Sequence, residues 1–347
     1  MHILYIAGWG RSGSTILDNV LGQVEGLFST GEIRSVWDRG LIENWPCSCG
    51  VAFRDCSLWR DVFAEAFGGF DRVDARRLAA IRDRFDRPWN VFLPAGLAST
   101  ELSEYRSALT RLYAAVASVT GARIIVDSSK TPAYGRILQD LPDFRVDIVH
   151  LLRDPRAVAF SWQRKRLWAR DGATYMSRFG PSRSALTWGA RQIATEAIGR
   201  RASDRYLRLR YEDFVAAPET SLARILSLTG GGLVPRFEGR RLALRPVHGI
   251  SGNPSRFDRG TVELKPDDEW RAGMRPADKA VDPDGTVSRS TTTGSMPASF
   301  AASAAQRPAA PAPTTRIGTS ASNRSPSALA TSDIAHHCLR ATSGRRR

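Results

Sequence analysis

A short apolar strand that runs directly into a glycine-bearing turn restricts the fold more than any other feature of the sequence. The run HILYIA, His2–Ala7, is followed by GWGRSGST. Gly8, Gly13 and the hydroxyl residue Thr15 match the spacing of an ATP-binding phosphate loop, but a serine, Ser14, stands where that pattern has lysine. A helix beginning there would present backbone N–H groups and its dipole to an anion. A plain tight turn is the alternative, and without the lysine a γ-phosphoryl transfer is hard to stabilise.

Further buried strands alternate with helical segments along the chain. Apolar, branched runs predict strands at Arg123–Val126, Val146–Leu152 and Tyr206–Leu209, and helical spacing predicts helices at Leu102–Val119 and Pro155–Leu167. This alternation predicts an α/β fold, a P-loop-like three-layer sandwich in which a central parallel sheet is flanked by helices. Ligands of such sheets bind at the carboxyl ends of the strands, so the residues after each strand are the candidates for chemistry.

Net charge, sequence motifs and cysteine count limit the kinds of molecule that the chain can be expected to bind. A net charge of +15 over 347 residues favours anionic partners but does not choose among nucleotides, nucleic acids and acidic sugars. No nucleic-acid recognition motif, signal peptide or membrane span is evident, and four cysteines are too few for a disulfide scaffold. We therefore expect a cytoplasmic protein that binds no nucleic acid.

The composition changes abruptly near residue 280. The segment 281–347 is rich in Ser, Thr, Ala, Pro and Arg and has one aromatic residue, Phe300. We expect this tail to be disordered, because it cannot bury enough apolar surface to offset its ordering entropy. The break follows MRPADKAV, where Pro276 is at a helix-start position. A shift of reading frame and a natural linker-like tail are both open explanations, and residues 1–280 form the expected folded domain.

A second candidate anion site follows a later strand. Arg153 comes directly after the strand that ends at Leu152, and Asp154 and Pro155 are typical of a helix start. Ser161 lies eight residues after Arg153 on that helix, and an arginine and a hydroxyl so placed can grip one terminal phosphate. The alternative is an arginine that forms a surface ion pair.

Together, the loop and this Arg-to-Ser interval resemble the 3′-phosphoadenosine 5′-phosphosulfate (PAPS)-dependent sulfotransferase family. A sulfuryl group suits a loop without lysine, since it carries one negative charge where a terminal phosphoryl group carries about two. The resemblance implies that Arg11 contacts the 5′-phosphate and the transferring sulfonate. It also implies a set of donor-binding loop residues: Gly10, Arg11, Ser12, Gly13, Ser14 and Thr15.

The same resemblance extends to the rest of the donor site. It implies that Arg153 and Ser161 bind the 3′-phosphate and that Tyr211, in LRLRYEDF, approaches the adenosine end. A strand-end tyrosine that simply packs on the next helix is the alternative for Tyr211. A late basic loop would close over the 3′-phosphate, with two arginines competing for the role; its candidate residues are Gly252, Arg256, Arg259 and Gly260.

Transfer to a hydroxyl requires a base. Glu32 lies 21 residues after Arg11, which resembles the glutamate-base pattern of the tyrosylprotein enzymes more than the histidine-base pattern of the cytosolic ones. Glu32 is therefore the expected base, and His248 is its histidine rival. Lys130, after the second predicted strand, would stabilise the bridging oxygen by resemblance. The alternatives are a helix-start carboxylate and a solvated or ion-paired lysine. His150, inside an apolar strand, is more typical of a core residue.

The segment CSCGVAFRDC places Cys47, Cys49 and Cys56 within ten residues. Their spacing suggests a metal, but no fourth ligand is evident, and Cys-x-Cys is less typical of structural zinc than Cys-x-x-Cys. A packed loop with free thiols is the favoured interpretation, while a zinc site and a redox pair remain open. We expect no metal in the catalytic site.

The resulting hypothesis is an enzyme that moves a sulfuryl group in line from PAPS to an acceptor hydroxyl. The acceptor, a small molecule or glycan, is left open among sugar, lipid, natural product and phenol, and the aromatic-rich region 37–100 is the expected acceptor-side insertion. A small-molecule kinase with a phosphate loop and a non-catalytic nucleotide-binding remnant are the alternatives. The oligomeric state is not predicted.

Overall fold

A five-stranded parallel sheet forms the centre of the molecule. The structure, a computed structural model, describes residues 1–92, 99–165 and 175–279, so the predicted tail lies outside the described residues. The sheet has the strand order β2-β3-β1-β4-β5. Its strands are β1 (His2–Gly8), β2 (Leu27–Ser29), β3 (Ile124–Lys130), β4 (Arg145–Leu152) and β5 (Tyr206–Arg210). All its pairings are parallel, as the alternating pattern predicts.

Helices cover both faces of this sheet, which confirms the predicted three-layer α/β class. The longer helices are α1 (Ser14–Leu21), α2 (Ser57–Phe67), α3 (Ala75–Phe85), α4 (Thr100–Thr120), α5 (Pro132–Gln139), α6 (Pro155–Gln163), α7 (Pro181–Ala202), α8 (Tyr211–Ala216) and α9 (Pro218–Leu228). A small antiparallel pair, β6 (Arg241–Leu244) with β7 (Gly260–Glu263), and two short helices, α10 (Glu269–Gly273) and α11 (Pro276–Lys279), follow. The described residues also include one π-helical segment, Val36–Ile42, and six 3₁₀ segments: Ile33–Ser35, Phe53–Asp55, Phe70–Arg72, Pro88–Phe92, Ser203–Arg205 and Pro254–Phe257.

The residues of β1 divide between two hydrophobic cores. Ile3, Tyr5 and Ala7 pack on the face covered by α2, α4, α5 and α7. Leu4 and Ile6 pack on the opposite face against α1, α8 and α9. This division follows from the two-residue period of a strand, and it explains why the whole run is apolar: a central parallel strand is buried on both faces.

One strand was missed, and two predicted boundaries differ from the structure by four residues. The strand β2 was not predicted, because three residues carry no usable alternation. The strand predicted to end at Val126 continues to Lys130, with a register shift opposite β1. The helix predicted over Pro155–Leu167 ends at Gln163, where Arg164 adopts an extended backbone, and Leu167 lies outside the described residues. The predicted start at Pro276 is confirmed by α11.

The aromatic-rich region 37–100 contributes mainly to the core. Trp37, Phe53, Trp59 and Phe63 are at most 1% exposed and belong to one core cluster. The large exposed aromatic side chains in the described part of this region are Trp89 and Phe92. No helix among the described residues is long and apolar enough to cross a bilayer.

A buried carboxyl joins α1 to the edge strand β2. The hydroxyl of Ser29 donates a hydrogen bond of 2.6 Å to Asp18 Oδ2. Burial raises the pKa of Asp18 to about 7, although this hydrogen bond favours the charged form. In the unfolded chain Asp18 ionises near its ordinary value of 3.8. The stability that comes from keeping this carboxyl neutral is therefore present below pH 4 and is lost as the pH rises through about 7.

The isosteric variant Asp18→Asn should abolish that loss. Between pH 5 and pH 8 the free energy of unfolding of the parent chain should fall by about 3 kcal/mol more than that of the variant, since one pKa unit corresponds to about 1.4 kcal/mol. Urea unfolding followed by tryptophan fluorescence measures both. Asp127, whose pKa burial raises to about 6, titrates in both proteins. Its charge also raises the pKa of Asp18, so the difference between the two profiles reports Asp18 together with this coupling. Parallel pH profiles would contradict this account of Asp18.

Candidate functional site

The turn between β1 and α1 is built from left-handed backbone. Gly8, Arg11 and Gly13 have φ values of 142°, 72° and 88°. A Cβ at Gly8 would lie 2.6 Å from the carbonyl oxygen of Leu151, and a Cβ at Gly13 would lie 2.3 Å from the ring of Tyr211. Glycine is therefore required at both positions by conformation and by space. Arg11 adopts the same region at a steric cost, a form of strain that concentrates at ligand-binding turns.

The side chain of Arg11 lies along this turn in a polar and aromatic setting. Its Nη1 donates a hydrogen bond of 2.8 Å to Asn253 Oδ1, and its Nη2 lies 3.0 Å from Met176 Sδ. The guanidinium stacks on the Trp162 ring at 4.9 Å. The same ring would lie 2.9 Å from a Cβ at Gly10. The predicted loop cation is thus held beside the turn, where an anion on the backbone N–H groups would lie.

Arg153 connects the end of β4 to the turn. Its Nη1 donates a hydrogen bond of 2.8 Å to the carbonyl of Arg11, and its Nη2 forms an ion pair of 2.6 Å with Asp267. Its guanidinium also stacks on the Tyr211 ring at 4.7 Å. Arg153, predicted to hold the 3′-phosphate, and Tyr211, predicted to approach the adenosine end of the donor, are therefore in contact with each other and with the turn. Ser161 lies buried on α6.

An ion pair joins the two predicted catalytic residues. Lys130 Nζ donates a hydrogen bond to Glu32 Oε1 and another of 3.0 Å to the carbonyl of Ser128. The Glu32 side chain is 21% exposed and that of Lys130 is 15% exposed, so both are largely shielded from solvent but remain accessible. The backbone N–H of Glu32 donates to the carbonyl of Ile250 at 2.7 Å, which fixes its position against the late loop. The site therefore contains an adjacent carboxylate and ammonium.

The late loop passes between the turn and Glu32. A Cβ at Gly252 would lie 3.6 Å from both Glu32 Oε1 and Thr15 Oγ1. The next N–H, that of Asn253, points to Thr15 Oγ1 at 3.4 Å. Arg256 lies buried below this loop, where its Nη1 donates to the carbonyl of Ser251 at 3.2 Å. Burial lowers the pKa of Arg256 to about 10, which still leaves the side chain charged at neutral pH.

The competing arginine is in a different place. Arg259 Nη2 donates to the carbonyls of Ser48 and Cys49 at 3.3 and 2.6 Å. Gly260, exposed at the start of β7, has no atoms within 4 Å of an added Cβ. The structure therefore places Arg256 under the loop segment that lies beside Thr15 and Glu32, and Arg259 against the cysteine-containing segment.

The two candidate histidines are also separated from the turn. His150 is fully buried in β4, with its ring nitrogens bonded to the Tyr206 hydroxyl at 2.6 Å and to Gln192 Oε1. Burial lowers the pKa of His150 to about 4, so it is a neutral core residue, as the sequence indicates. His248 Nδ1 lies 3.3 Å from Cys56 Sγ, among the cysteines.

Several neighbours of the site were not predicted. Asn253 and Trp162, which hold Arg11, follow Gly252 and Ser161 directly, so proximity to predicted residues was the available signal. Asp267, the partner of Arg153, lies in a run of charged residues with no distinguishing pattern. Nothing in the sequence marks it.

Replacement of Gly13 by alanine tests the close packing of Tyr211 on the turn. We expect Gly13→Ala to lower the free energy of unfolding by at least about 2 kcal/mol more than Gly121→Ala. Gly121 is the matched control because its φ of 66° is equally left-handed while an added Cβ would meet nothing within 4 Å. Urea unfolding measures both variants. Equal losses would mean that the ring of Tyr211 does not pack on Gly13 in solution.

Comparison with known proteins places these observations in a family. A family model described as the sulfotransferase family matches residues 4–231, more than half of the chain. Mouse carbohydrate sulfotransferase 5 is 27% identical over 265 residues, which span 69% of this chain and 66% of the relative. The sulfotransferase domain of the curacin biosynthetic pathway is 18% identical with a TM-score of 0.47, covering 85% of this chain and 98% of that domain. The sulfotransferase domain of the Synechococcus PCC 7002 olefin synthase is 20% identical with a TM-score of 0.43, covering 80% and 89%. From the match to the family model, the chain belongs to the sulfotransferase family.

Proposed function

We propose that this chain is an enzyme that transfers a sulfuryl group from PAPS to an acceptor hydroxyl. The observation that carries the proposal is the convergence of three elements at one sheet edge: a phosphate turn without lysine, Arg153, and the pair Glu32–Lys130. They come from the ends of different parallel strands, as the ligand sites of such sheets do. Family membership supports the same reaction.

The turn suits the 5′ end of such a donor. Among the described residues, the buried hydroxyl of Ser12 has no hydrogen-bond partner, and a phosphate oxygen would satisfy it. The left-handed turn followed by α1 presents backbone N–H groups to the same point, with Ser14 and Thr15 in the first helical turn. We assign Gly10 through Thr15 to this end of the donor.

The cationic residues around Arg153 are proposed to bind the other end of the donor, which carries the 3′-phosphate. Its guanidinium, held by the Arg11 carbonyl and the Tyr211 ring, is the proposed ligand of the 3′-phosphate. Ser161 and the late-loop residues Arg256, Arg259 and Gly260 are proposed to complete this end, with Arg256 the better-placed arginine. The carboxylate of Asp267, which pairs with Arg153, has to give way to the phosphate or share the guanidinium with it.

Glu32 is the proposed base. Its carboxylate takes the proton of the acceptor hydroxyl as the acceptor oxygen bonds to sulfur and the bond from sulfur to the bridging oxygen breaks. Lys130 donates a hydrogen bond toward the charge that develops on that oxygen, while Arg11 faces the sulfonate. When bound, the donor supplies the activated sulfuryl group. Because Lys130 already pairs with Glu32, both residues are ordered before an acceptor arrives.

We propose further that residues 1–280 form the catalytic domain and that residues 37–100 lie on its acceptor side. The curated mouse relative is named a carbohydrate sulfotransferase, so a sugar hydroxyl is the first acceptor to try, followed by phenols, lipids and natural products. The tail 281–347 is proposed to be dispensable for donor binding.

Titration with the product 3′-phosphoadenosine 5′-phosphate (PAP) tests the donor site. We expect PAP to bind tightly and better than ADP, because only PAP has the 3′-phosphate that Arg153 would hold. Arg153→Ala should raise the Kd for PAP at least about thirtyfold, since a charge-assisted hydrogen bond contributes about 2 kcal/mol or more. The Kd for ADP should rise by a smaller factor, because ADP loses only the support that Arg153 gives to the turn. Isothermal calorimetry measures all four constants.

The control for this titration is Arg76→Ala, which removes the same charge from the exposed face of α3. Unchanged PAP binding in this variant excludes a general charge effect. Equal binding of PAP and ADP by the parent chain, or transfer of the γ-phosphoryl group of ATP with Mg²⁺, would overturn the proposal and favour a kinase. A circular-dichroism melt of each sample separates lost binding from lost folding.

Replacement of Glu32 tests the base. Glu32→Gln should lower kcat by about 10²–10⁴-fold while the Kd for PAP changes less than about threefold, because the amide keeps the shape but takes no proton. A radiolabelled donor and a panel of sugar and phenol acceptors give the rate. Glu25→Gln, an exposed neighbour, is the control and should leave kcat unchanged. Full activity in Glu32→Gln would remove Glu32 from the mechanism.

A further inference from the structure

A second cluster of chemically active side chains lies beside the donor site. Cys47, Cys49, Cys56 and His248 offer three sulfur atoms and one imidazole nitrogen, all within 4.8 Å of one another. Cys47 and Cys56 are 1% exposed, while Cys49 and His248 are half-buried. The sequence spacing of the cysteines left the fourth ligand unidentified, and the fold supplies it from 192 residues away.

The geometry points to a structural zinc site formed by these four residues, and we propose that the chain binds one Zn²⁺ there. Zinc bound tetrahedrally, with Zn–S near 2.3 Å and Zn–N near 2.0–2.1 Å, places two sulfur ligands about 3.8 Å apart and a sulfur and a nitrogen about 3.6 Å apart. The separation of Cys49 Sγ and Cys56 Sγ is 3.8 Å. His248 Nδ1 lies 3.8 Å from Cys47 Sγ and 3.3 Å from Cys56 Sγ. These three distances are close to three of the six edges of such a tetrahedron, and the other three are at most 4.8 Å.

The backbone around the cluster holds the ligands independently of any ion. The N–H of Gly50 donates to the carbonyl of Cys47 at 2.8 Å, which closes the turn that carries Cys47 and Cys49. Cys56 caps the N-terminus of α2, where the helix dipole favours a thiolate. Trp59 Nε1 donates to the carbonyl of His248 at 2.9 Å and thereby fixes the distant ligand above the same helix.

The ligand set selects the metal and its role. Three thiolates and an imidazole are soft and borderline ligands that favour zinc over magnesium or calcium. Four protein ligands leave no open position, which is the arrangement of structural rather than catalytic zinc. With all three sulfur ligands as thiolates, the filled site has a net charge of −1. The guanidinium of Arg259, bonded to the carbonyl of Cys49 at 2.6 Å, lies next to that charge.

The proposed ion would fasten the cysteine segment to the late loop. Ser48 donates through both its N–H and its hydroxyl to the carbonyl of Gly249, each at 3.0 Å. The neighbouring Ile250 accepts from Glu32 and donates to Thr30. Loss of the metal would therefore loosen the support of Glu32 and of the loop that leads to Arg256.

Metal analysis of the full chain tests the proposal. Protein produced with zinc in the medium and purified under reductant should contain about one zinc per chain. Cys49→Ser and His248→Ala should lose most of it. Cys338→Ser, which removes the remaining cysteine of the chain, is the matched control and should retain the metal.

A cobalt readout keeps the test decisive if a variant folds poorly. Co²⁺ added to the zinc-free chain should give the visible absorption of a tetrahedral thiolate site. His248→Cys, which preserves four ligands, should keep the metal with stronger thiolate-to-cobalt absorption. Metal content that is negligible in the parent chain even after incubation with equimolar Zn²⁺, or equal in Cys49→Ser and the parent, would overturn the proposal. A disulfide between two of these cysteines in the reduced preparation would also overturn it. None of these results depends on sulfuryl transfer.

Discussion

The hydrogen bond from Arg153 to the carbonyl of Arg11 is the contact on which the donor site depends. It joins the ends of β4 and β1, two adjacent parallel strands. It also holds the turn at Arg11, a residue other than glycine that has a left-handed backbone. The ring of Tyr211 stacks on the same guanidinium and closes over Gly13. One buried cation thus shapes the turn and is itself the candidate ligand for a phosphate. Because Arg153 has both roles, it is almost inaccessible, at 7% exposure, although it belongs to the proposed binding site.

Local patterns predicted the central fold because strands that are buried on both faces of a sheet appear in the sequence as continuous apolar runs. Of the five strands of the sheet, four are apolar runs long enough to read, whereas β2 is an edge strand of three residues held by pairing with β3. The position of β2 depends on tertiary contacts and cannot be predicted from a local stretch of sequence. The end of α6 was misjudged for a related reason, since the apolar spacing continues past Gln163 while the backbone of Arg164 does not.

Part of the site was predictable because the carboxyl ends of parallel strands lie at the same edge of a sheet. Arg11, Lys130 and Arg153 each lie at or just after the end of a strand, so the sheet brings them together whatever their separation in sequence. The contacts from the long connection after β5 were not predictable in this way. His248 and Asp267 are positioned by loops whose paths depend on the cysteine segment and on the helices they cross. Resemblance to a family could name Arg256 and Arg259 but could not show that they occupy different places, Arg256 under the late loop and Arg259 against the cysteine segment.

The late loop contacts three parts of the candidate site. Ile250 is hydrogen-bonded to Thr30 and to Glu32, Gly249 to Ser48, and Asn253 to Arg11, so one short stretch contacts the proposed base, the cysteine segment and the arginine of the turn. A displacement of Ser48 would therefore act on Glu32 and Arg11 through this loop. The Ser48 contacts and the Trp59–His248 hydrogen bond join this loop to the cysteine segment and to α2. The zinc ion proposed above would add a further link between that segment and the loop that contacts Glu32, although it would touch neither substrate.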